Sequence, residues 1–173
     1  MLSAVPDFHI KPLVFFPEHF EQVATWHHQE CERQGLKSTL SLRRQRLQLH
    51  VQNRSLPQTL IALSANQVIG CVSLVNYSFR SAPSVTATSV NVPPSAKLLW
   101  LSNLFVTEAL RERGVGSKLI EAAIVYAATL GSKELWLSAA PEFTEFYRNR
   151  NWVIQRATRL GGRPVNILRR VWD

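Results

Sequence analysis

The stretch "LFVTEALRERGVGSKL", Leu104 to Leu119, decides the reading of this chain. It runs from an apolar segment through a charged turn into Gly114 and Gly116, and then into a helical pattern. A strand, a turn and a glycine-marked helix start form an anion site. The first N–H groups of a helix have no internal partners and lie at the positive end of its dipole. Glycine at that point lets the main chain approach a pyrophosphate closely. Spacing separates the glycine loops that compete for this pattern. A P-loop requires G-x-x-x-x-G-K-[ST], and "GVGSK" has the final Gly-Ser-Lys without that spacing. A dinucleotide fingerprint requires G-x-G-x-x-G, and Leu119 stands where the last glycine belongs. What remains is R-x-x-G-x-G, met by Arg111, Gly114 and Gly116.

Working outward, apolar periodicity divides the chain into alternating elements. "KLLWLSNLFV" (Lys97 to Val106) reads as a central strand. Val115, Leu119, Ala122, Ala123, Tyr126 and Leu130 make one stripe of the helix that follows, and Gly131 stops it. Upstream, a strand near His9 to Val14 precedes Pro17, which opens a helix carrying Phe20, Val23, Ala24 and His27 on one face. That helix ends before Gly35, and a second runs from Ser38 to His50 with Leu40, Leu47 and Val51 as apolar positions. "TLIAL" and "QVIGCVSLVNY" form a hairpin across "SAN". A Ser/Thr/Pro-rich stretch, 78–95, reads as a long loop. Downstream, "KELWLSA" is a strand, "PEFTEFYRNR" a short helix opened by Pro141, and "WVIQ" and "RPVNILRRVW" the last strands. No internal repeat or second domain is visible.

Composition narrows the function classes. The chain has 173 residues and is 46% hydrophobic, which fits one globular domain with a real core. No apolar run approaches the roughly 20 residues of a membrane span, and the start lacks a signal-peptide pattern. Cys31 and Cys71 have no paired spacing, so neither zinc nor a disulfide framework is indicated, and a reduced, cytoplasmic setting is the simplest reading. Twenty Lys and Arg against twelve Asp and Glu give a net charge of +8, and no acid occurs between Arg33 and Thr107. Such a field attracts anions: nucleic acid, a phosphorylated cofactor or an acidic substrate. It is equally the signature of a solvated basic surface.

"LFVTEALRERGVGSKLIEAA" resembles the coenzyme-A-binding motif of the GNAT superfamily of N-acetyltransferases, and "EFYRNRNW" some thirty residues later resembles the family's Phe-Tyr segment. Asn151 stands where that segment usually has glycine, and Ala140 where relatives often carry Asn. "ATWHHQE" (Ala24 to Glu30) and "GGRPVNIL" resemble a bacterial Trp-His-His subgroup. The resemblance implies an α/β fold in one domain, 1–173, with a mixed and mostly antiparallel sheet of about six to seven strands and about four flanking helices.

It also implies an activity. An acetyl group passes from acetyl-coenzyme A to a primary amine by direct attack, without a metal. Leu104, Phe105 and Val106 then bind the acetyl arm through main chain. Arg111, Glu112, Arg113, Gly114, Val115, Gly116 and Ser117 hold the pyrophosphate, chiefly through the amides of Arg113 to Ser117. Tyr147 matches the family's general acid, which protonates the leaving sulfur. Many relatives place the base on the fourth strand or the one before it, but here the segment from Gln67 to Thr107 has no carboxylate. The base is therefore Glu30, Glu32, His27 or His28, Glu108, or a chain of waters. Like charges repel, so a basic chain suits an acidic peptide terminus or another anionic small-molecule amine. No known RNA-binding module is visible, which makes a nucleic-acid partner the weaker reading. Two alternatives stay open: a coenzyme-A sensor without catalysis, and an acetyltransferase acting on an RNA-linked amine. Many relatives form homodimers through edge strands.

Overall fold

Alternating apolar residues and well-placed turn formers build seven strands and four helices in the computed structural model, which describes residues 5–52, 55–78 and 97–173. In chain order these are β1 (His9–Pro12), α1 (Phe20–Arg33), α2 (Leu40–Gln52), β2 (Gln58–Ser64), β3 (Gln67–Ser78) and β4 (Lys97–Val106). There follow α3 (Val115–Thr129), β5 (Glu134–Ala139), α4 (Pro141–Arg148), β6 (Val153–Leu160) and β7 (Arg163–Val171). The sheet order is β1-β2-β3-β4-β5-β7-β6. β4 and β5 run parallel, whereas β1–β2, β2–β3, β5–β7 and β6–β7 pair antiparallel. The expected mixed, mostly antiparallel α/β architecture is the observed one. Beyond Ser78, the Ser/Thr/Pro-rich stretch read as a long loop lies outside the described residues.

Element ends differ from the sequence reading in ways the backbone explains. The first strand stops at Pro12, and Leu13–Phe15 and Pro17–His19 form single 3-10 turns before α1 starts at Phe20. β6 continues through "RATRL" to Leu160 because β7 pairs with it along that length. On α3 the buried residues are Val115, Leu119, Ile120, Ala123, Ile124 and Ala127, while Leu130 lies beyond the helix and is exposed. The apolar stripe is therefore turned from the one the sequence suggested.

Two compact units divide the chain, Met1–Leu74 with Ser102–Tyr126 and Val75–Leu101 with Ala127–Asp173. In the first, Leu13, Val23, Ala24, Trp26, Leu47, Ile61 and Cys71 form the core, with Phe20, Leu40, Val51 and Phe105 packed against it. The β2–β3 hairpin turns on Ala65 and Asn66, both at positive φ (46° and 66°), which matches the twist of a two-residue hairpin loop. In the second unit, Val75, Leu98, Trp100, Trp136 and Ile167 cluster on one face of the strands. Three helices end with the same pair of backbone bonds. Leu36 N–H donates to Cys31 and Gly35 N–H to Glu32; Ser132 donates to Ala127 and Gly131 to Ala128; Trp152 donates to Tyr147 and Asn151 to Arg148. Each places a left-handed residue, Gly35, Gly131 or Asn151, just past the helix.

Candidate active site

β4 is regular only as far as Ser102. Asn103 has φ +53°, a left-handed residue in mid-strand, and Asn tolerates that region better than most side chains. The Cys71 thiol on β3 donates to the Asn103 carbonyl at 3.5 Å. A β-carbon added at Gly70 would stand 2.8 Å from the Phe105 carbonyl oxygen and 3.0 Å from Leu119 Cδ1. Only glycine therefore lets β3 approach the end of β4 and the first turns of α3 so closely. Thr107 N–H donates to Ile69 O at 3.0 Å and closes the ladder there.

Beyond Val106 the chain turns through a 3-10 segment, Glu108–Leu110, into the glycines. φ is positive at Glu112 (62°) and again at Gly114 (87°). Left-handed residues placed this way in a turn curl successive N–H groups toward one concave side, a shape that binds anions. Lys118 N–H donates to Gly114 O at 3.1 Å, so the amides of Val115 and Gly116 precede the first helical bond of α3. The N-terminal dipole of the helix adds positive potential at that point. The Arg111 side chain turns inward. Its Nε donates to Val106 O at 2.8 Å, and its guanidinium lies 5.3 Å from the Phe105 ring centroid. It ties the turn to the strand.

α1 packs against this strand end: the Trp26 ring stacks on Phe105 at 4.8 Å. The two histidines after Trp26 go to different sides. His27 is buried, only 5% exposed, and its Nε2 has no hydrogen-bond partner. Burial holds it down at about 3, with His50 and Arg43 adding repulsion, so it is neutral near pH 7. His28 is half-buried, with Nδ1 3.0 Å from Ser38 Oγ and Nε2 2.9 Å from Glu32. The Glu30 carboxylate accepts from Arg33 Nε at 2.9 Å, Arg33 Nη2 at 2.5 Å and Gln34 Nε2 at 3.0 Å. Burial pushes the Cys71 thiol on β3 up, and the charge on Glu30 adds to the rise.

Tyr147 belongs to the second unit, in the last turn of α4. Its ring meets Phe146 edge-on at 5.1 Å and Trp152 at 6.0 Å. Its carbonyl accepts from Trp152 N–H, so the helix-terminating bonds and the Tyr147–Trp152 contact fix the residue together. Asn151, at φ +69°, meets the conformational demand that glycine meets in the family pattern. Ala140 is the N-cap of α4 and makes no side-chain cap.

Sequence reading missed two features here. Asn103 was legible only as one Asn inside an apolar strand. The electrostatic influence of Glu30 on Cys71 joins residues forty-one positions apart, and no spacing rule reports it. Among the described residues no group of His, Cys, Asp and Glu could hold a metal ion, and no helix is long and apolar enough to cross a membrane.

Comparison with known proteins follows from this geometry. No curated protein sequence matches the chain. Among solved structures it resembles Arabidopsis thaliana NAA60 in complex with acetyl-CoA, with TM-score 0.71 at 13% identity, covering 95% of this chain and 98% of that one. It also resembles FeeM, an N-acyl amino acid synthase from uncultured soil microbes, with TM-score 0.67 at 16% identity over 96% of this chain and 92% of that one. A third likeness is to the NatC complex bound to Gag peptide and CoA, with TM-score 0.67 at 16% identity over 96% and 99%. At these identities the likeness establishes the fold. The acetyltransferase (GNAT) family model matches residues 20–151, most of the chain, with α1, the β4–α3 turn and Tyr147 inside the match, and the protein belongs to the GNAT acetyltransferase family.

Proposed function

We propose that this protein is an N-acetyltransferase that transfers acetyl from acetyl-coenzyme A to a primary amine by direct attack. The observation that carries the reading is the passage from β4 to α3. A strand broken by left-handed Asn103 leads into a turn with positive φ at Glu112 and Gly114, then into the amide-bearing start of α3. These residues fit the donor. The main chain of Leu104 to Val106 would hold the acetyl arm. The amides of Arg113 to Ser117 would take the pyrophosphate, with Arg111 and Glu112 shaping the turn. A carbonyl polarised by a β4 amide is attacked by the amine nitrogen, the C–S bond breaks, and Tyr147 gives its phenolic proton to the departing sulfur. Structural relatives bound to acetyl-CoA, or to CoA with a peptide, support this donor and an amine acceptor.

Of the base candidates, Glu30 is favoured over His27. Its charge is felt at Cys71, whose thiol donates to Asn103, whereas His27 is enclosed and held to a low basicity. Glu30 must release Arg33 or Gln34 to take the amine proton. The Trp-His-His likeness of α1 suits the bacterial subgroup, and the setting we assign is cytoplasmic. With twenty basic and twelve acidic side chains, the acceptor of choice is an acidic amine.

The test is a titration with acetyl-coenzyme A, followed by a panel of amines and peptide termini with free-thiol release as readout. Saturable binding and release of thiol with at least one amine are expected. Gly116→Glu should weaken coenzyme binding through bulk and charge against the pyrophosphate. Failure of the wild-type chain to bind the coenzyme would overturn the reading, and binding without turnover on every amine would leave a coenzyme sensor.

A further inference from the structure

A bulge in β6 turns one arginine onto the apolar face of the second unit, where it has no ion pair among the described residues. Val153 pairs with Arg169 and Ile154 with Leu168, but the next pair is Arg156 with Ile167, so Gln155 is the extra residue. Strand side chains alternate between faces. Without the bulge, Arg156 would fall on the opposite face from Ile167. With it, Arg156 shares the face of Ile167, Trp136, Trp100, Leu98 and Val75, the apolar cluster of this unit. Bulges re-aim side chains next to functional sites at the cost of local ladder bonds.

Two of the three guanidinium nitrogens delivered there are unsatisfied. Arg156 Nε and Nη1 are both enclosed and have no hydrogen-bond partner. Other arginines of this unit are engaged. Arg148 pairs with Glu145 and Arg169 with Glu134; Arg150 donates to Phe146 O and Arg159 to Gly162 O; Arg163 and Arg170 also have partners. The carboxylates of the unit are Glu134, Glu142, Glu145 and Asp173. Two are in those pairs, and the other two are exposed, on the first turn of α4 and at the last residue. A guanidinium cannot shed its proton, so its enclosed N–H groups are unfavourable until an acceptor arrives. Arg169 on the same face pairs with Glu134.

We infer that Arg156 is a binding residue for the carboxylate of a ligand, seated on the β6–β7 face beside Ile167. The inference rests on the bulge and on Arg156, and stands apart from the acetyl-transfer reading. The carboxylate could be carried by the amine acceptor or by a separate ligand; the shared chemistry is a carboxylate on an arginine.

The arginine Nε–Hε resonances of the full 15N-labelled chain test it, with the Arg156 signal assigned by its loss in Arg156→Lys. The probes are sodium acetate and N-acetylglycine, against sodium chloride at matched ionic strength. The Arg156 signal should move saturably with the carboxylates and not with chloride. In Arg156→Met the apparent Kd for N-acetylglycine, read by thermal shift, should rise at least tenfold. Without any probe that variant should melt no lower than wild type, because two unsatisfied enclosed N–H groups have been removed. A signal that ignores carboxylate, or follows chloride equally, overturns the site, as does a large loss of stability in Arg156→Met. Acceptor assays locate the source. A tenfold KM advantage of carboxylate-bearing amines over their amides, abolished in Arg156→Met, puts the anion on the acceptor. A moving Arg156 signal without that advantage puts it on a separate ligand.

Discussion

Lowering the pH from 8 to 5 should destabilise the protein through two buried histidines. His27 on α1 and His50 on α2 are both buried, with ring centroids 6.5 Å apart. Burial holds His27 at about 3 and His50 at about 4, the latter partly offset by its bond to the Gln58 backbone. His50 Nδ1 also lies 2.9 Å from Thr59 Oγ1, which is 2.8 Å from Ser73 Oγ. Both folded-state values lie below the ordinary 6.5 of histidine. The unfolded chain therefore binds protons first, and stability present above pH 6.5 is lost as pH falls toward the folded values. By pH 5 each histidine should remove about 2 kcal/mol, together about 4 kcal/mol. That is a large share of the roughly 5–15 kcal/mol that holds a typical domain folded. Carboxylates stay largely ionised down to about pH 5, so the window between pH 5 and 6.5 isolates the histidines.

The assay is urea unfolding at half-unit steps from pH 8 to 5, with the slope in denaturant checked for constancy. Wild type should lose stability by up to about 2.7 kcal/mol per pH unit near pH 5, the slope of two protons taken up on unfolding. His27→Leu removes one titrating group and the unpartnered Nε2 while keeping an apolar volume, and should halve that slope. His50→Asn keeps an amide near the Thr59 hydroxyl and should halve it likewise. If His27→Leu keeps the full wild-type slope, the buried-histidine account is wrong.

Three more outcomes follow from the site and its supports. Tyr147→Phe should lower kcat by about a hundredfold or more while leaving coenzyme affinity nearly intact; unchanged turnover rejects the phenol as the acid. Gly70→Ala places a methyl 2.8 Å from the Phe105 carbonyl oxygen, so it should cost about 1–3 kcal/mol and weaken coenzyme binding as β4 shifts. A thermal melt matching wild type counts against the close approach. Ala140→Asn supplies the missing cap of α4 and should stabilise by about 1 kcal/mol; an unaltered or lower melting temperature excludes the capping argument.

Local signals carried much of this fold into view. Gly131 after a helical stripe, Pro141 before a short amphipathic run and Asn66 in a two-residue turn each act through their own backbone, so sequence alone reports them. The turn from Arg111 to Ser117 was legible for the same reason. What sequence could not report depends on register. The β6 bulge exists because β7 pairs across it, and only the pairing shows that Gln155 is supernumerary. The polar chain His50–Thr59–Ser73 joins a helix to two strands, and each of its residues reads alone as ordinary. The buried stripe of α3 shifted toward Ile120 and Ile124 because tertiary packing, not the periodicity of the helix by itself, selects the face.

The acid-free span from Arg33 to Thr107 takes its meaning from this division. A strand without carboxylates looked like a strand without a base. The fold answers by bringing α1 against the same sheet: Trp26 stacks on Phe105, and one helical turn later comes Glu30, whose charge is felt at Cys71, the thiol that donates to Asn103. An amine meeting an acetyl group at the broken part of β4 would find its proton acceptor on a helix. Glu30→Gln separates this from a structural role of the carboxylate. The amide can still accept from Arg33 and donate elsewhere, but it cannot take a proton. Turnover should fall by about a hundredfold or more at neutral pH, with coenzyme affinity retained and the acidic limb of the pH–rate profile lost. Equal loss of coenzyme binding and turnover would instead mean that Glu30 only holds the end of α1 in place.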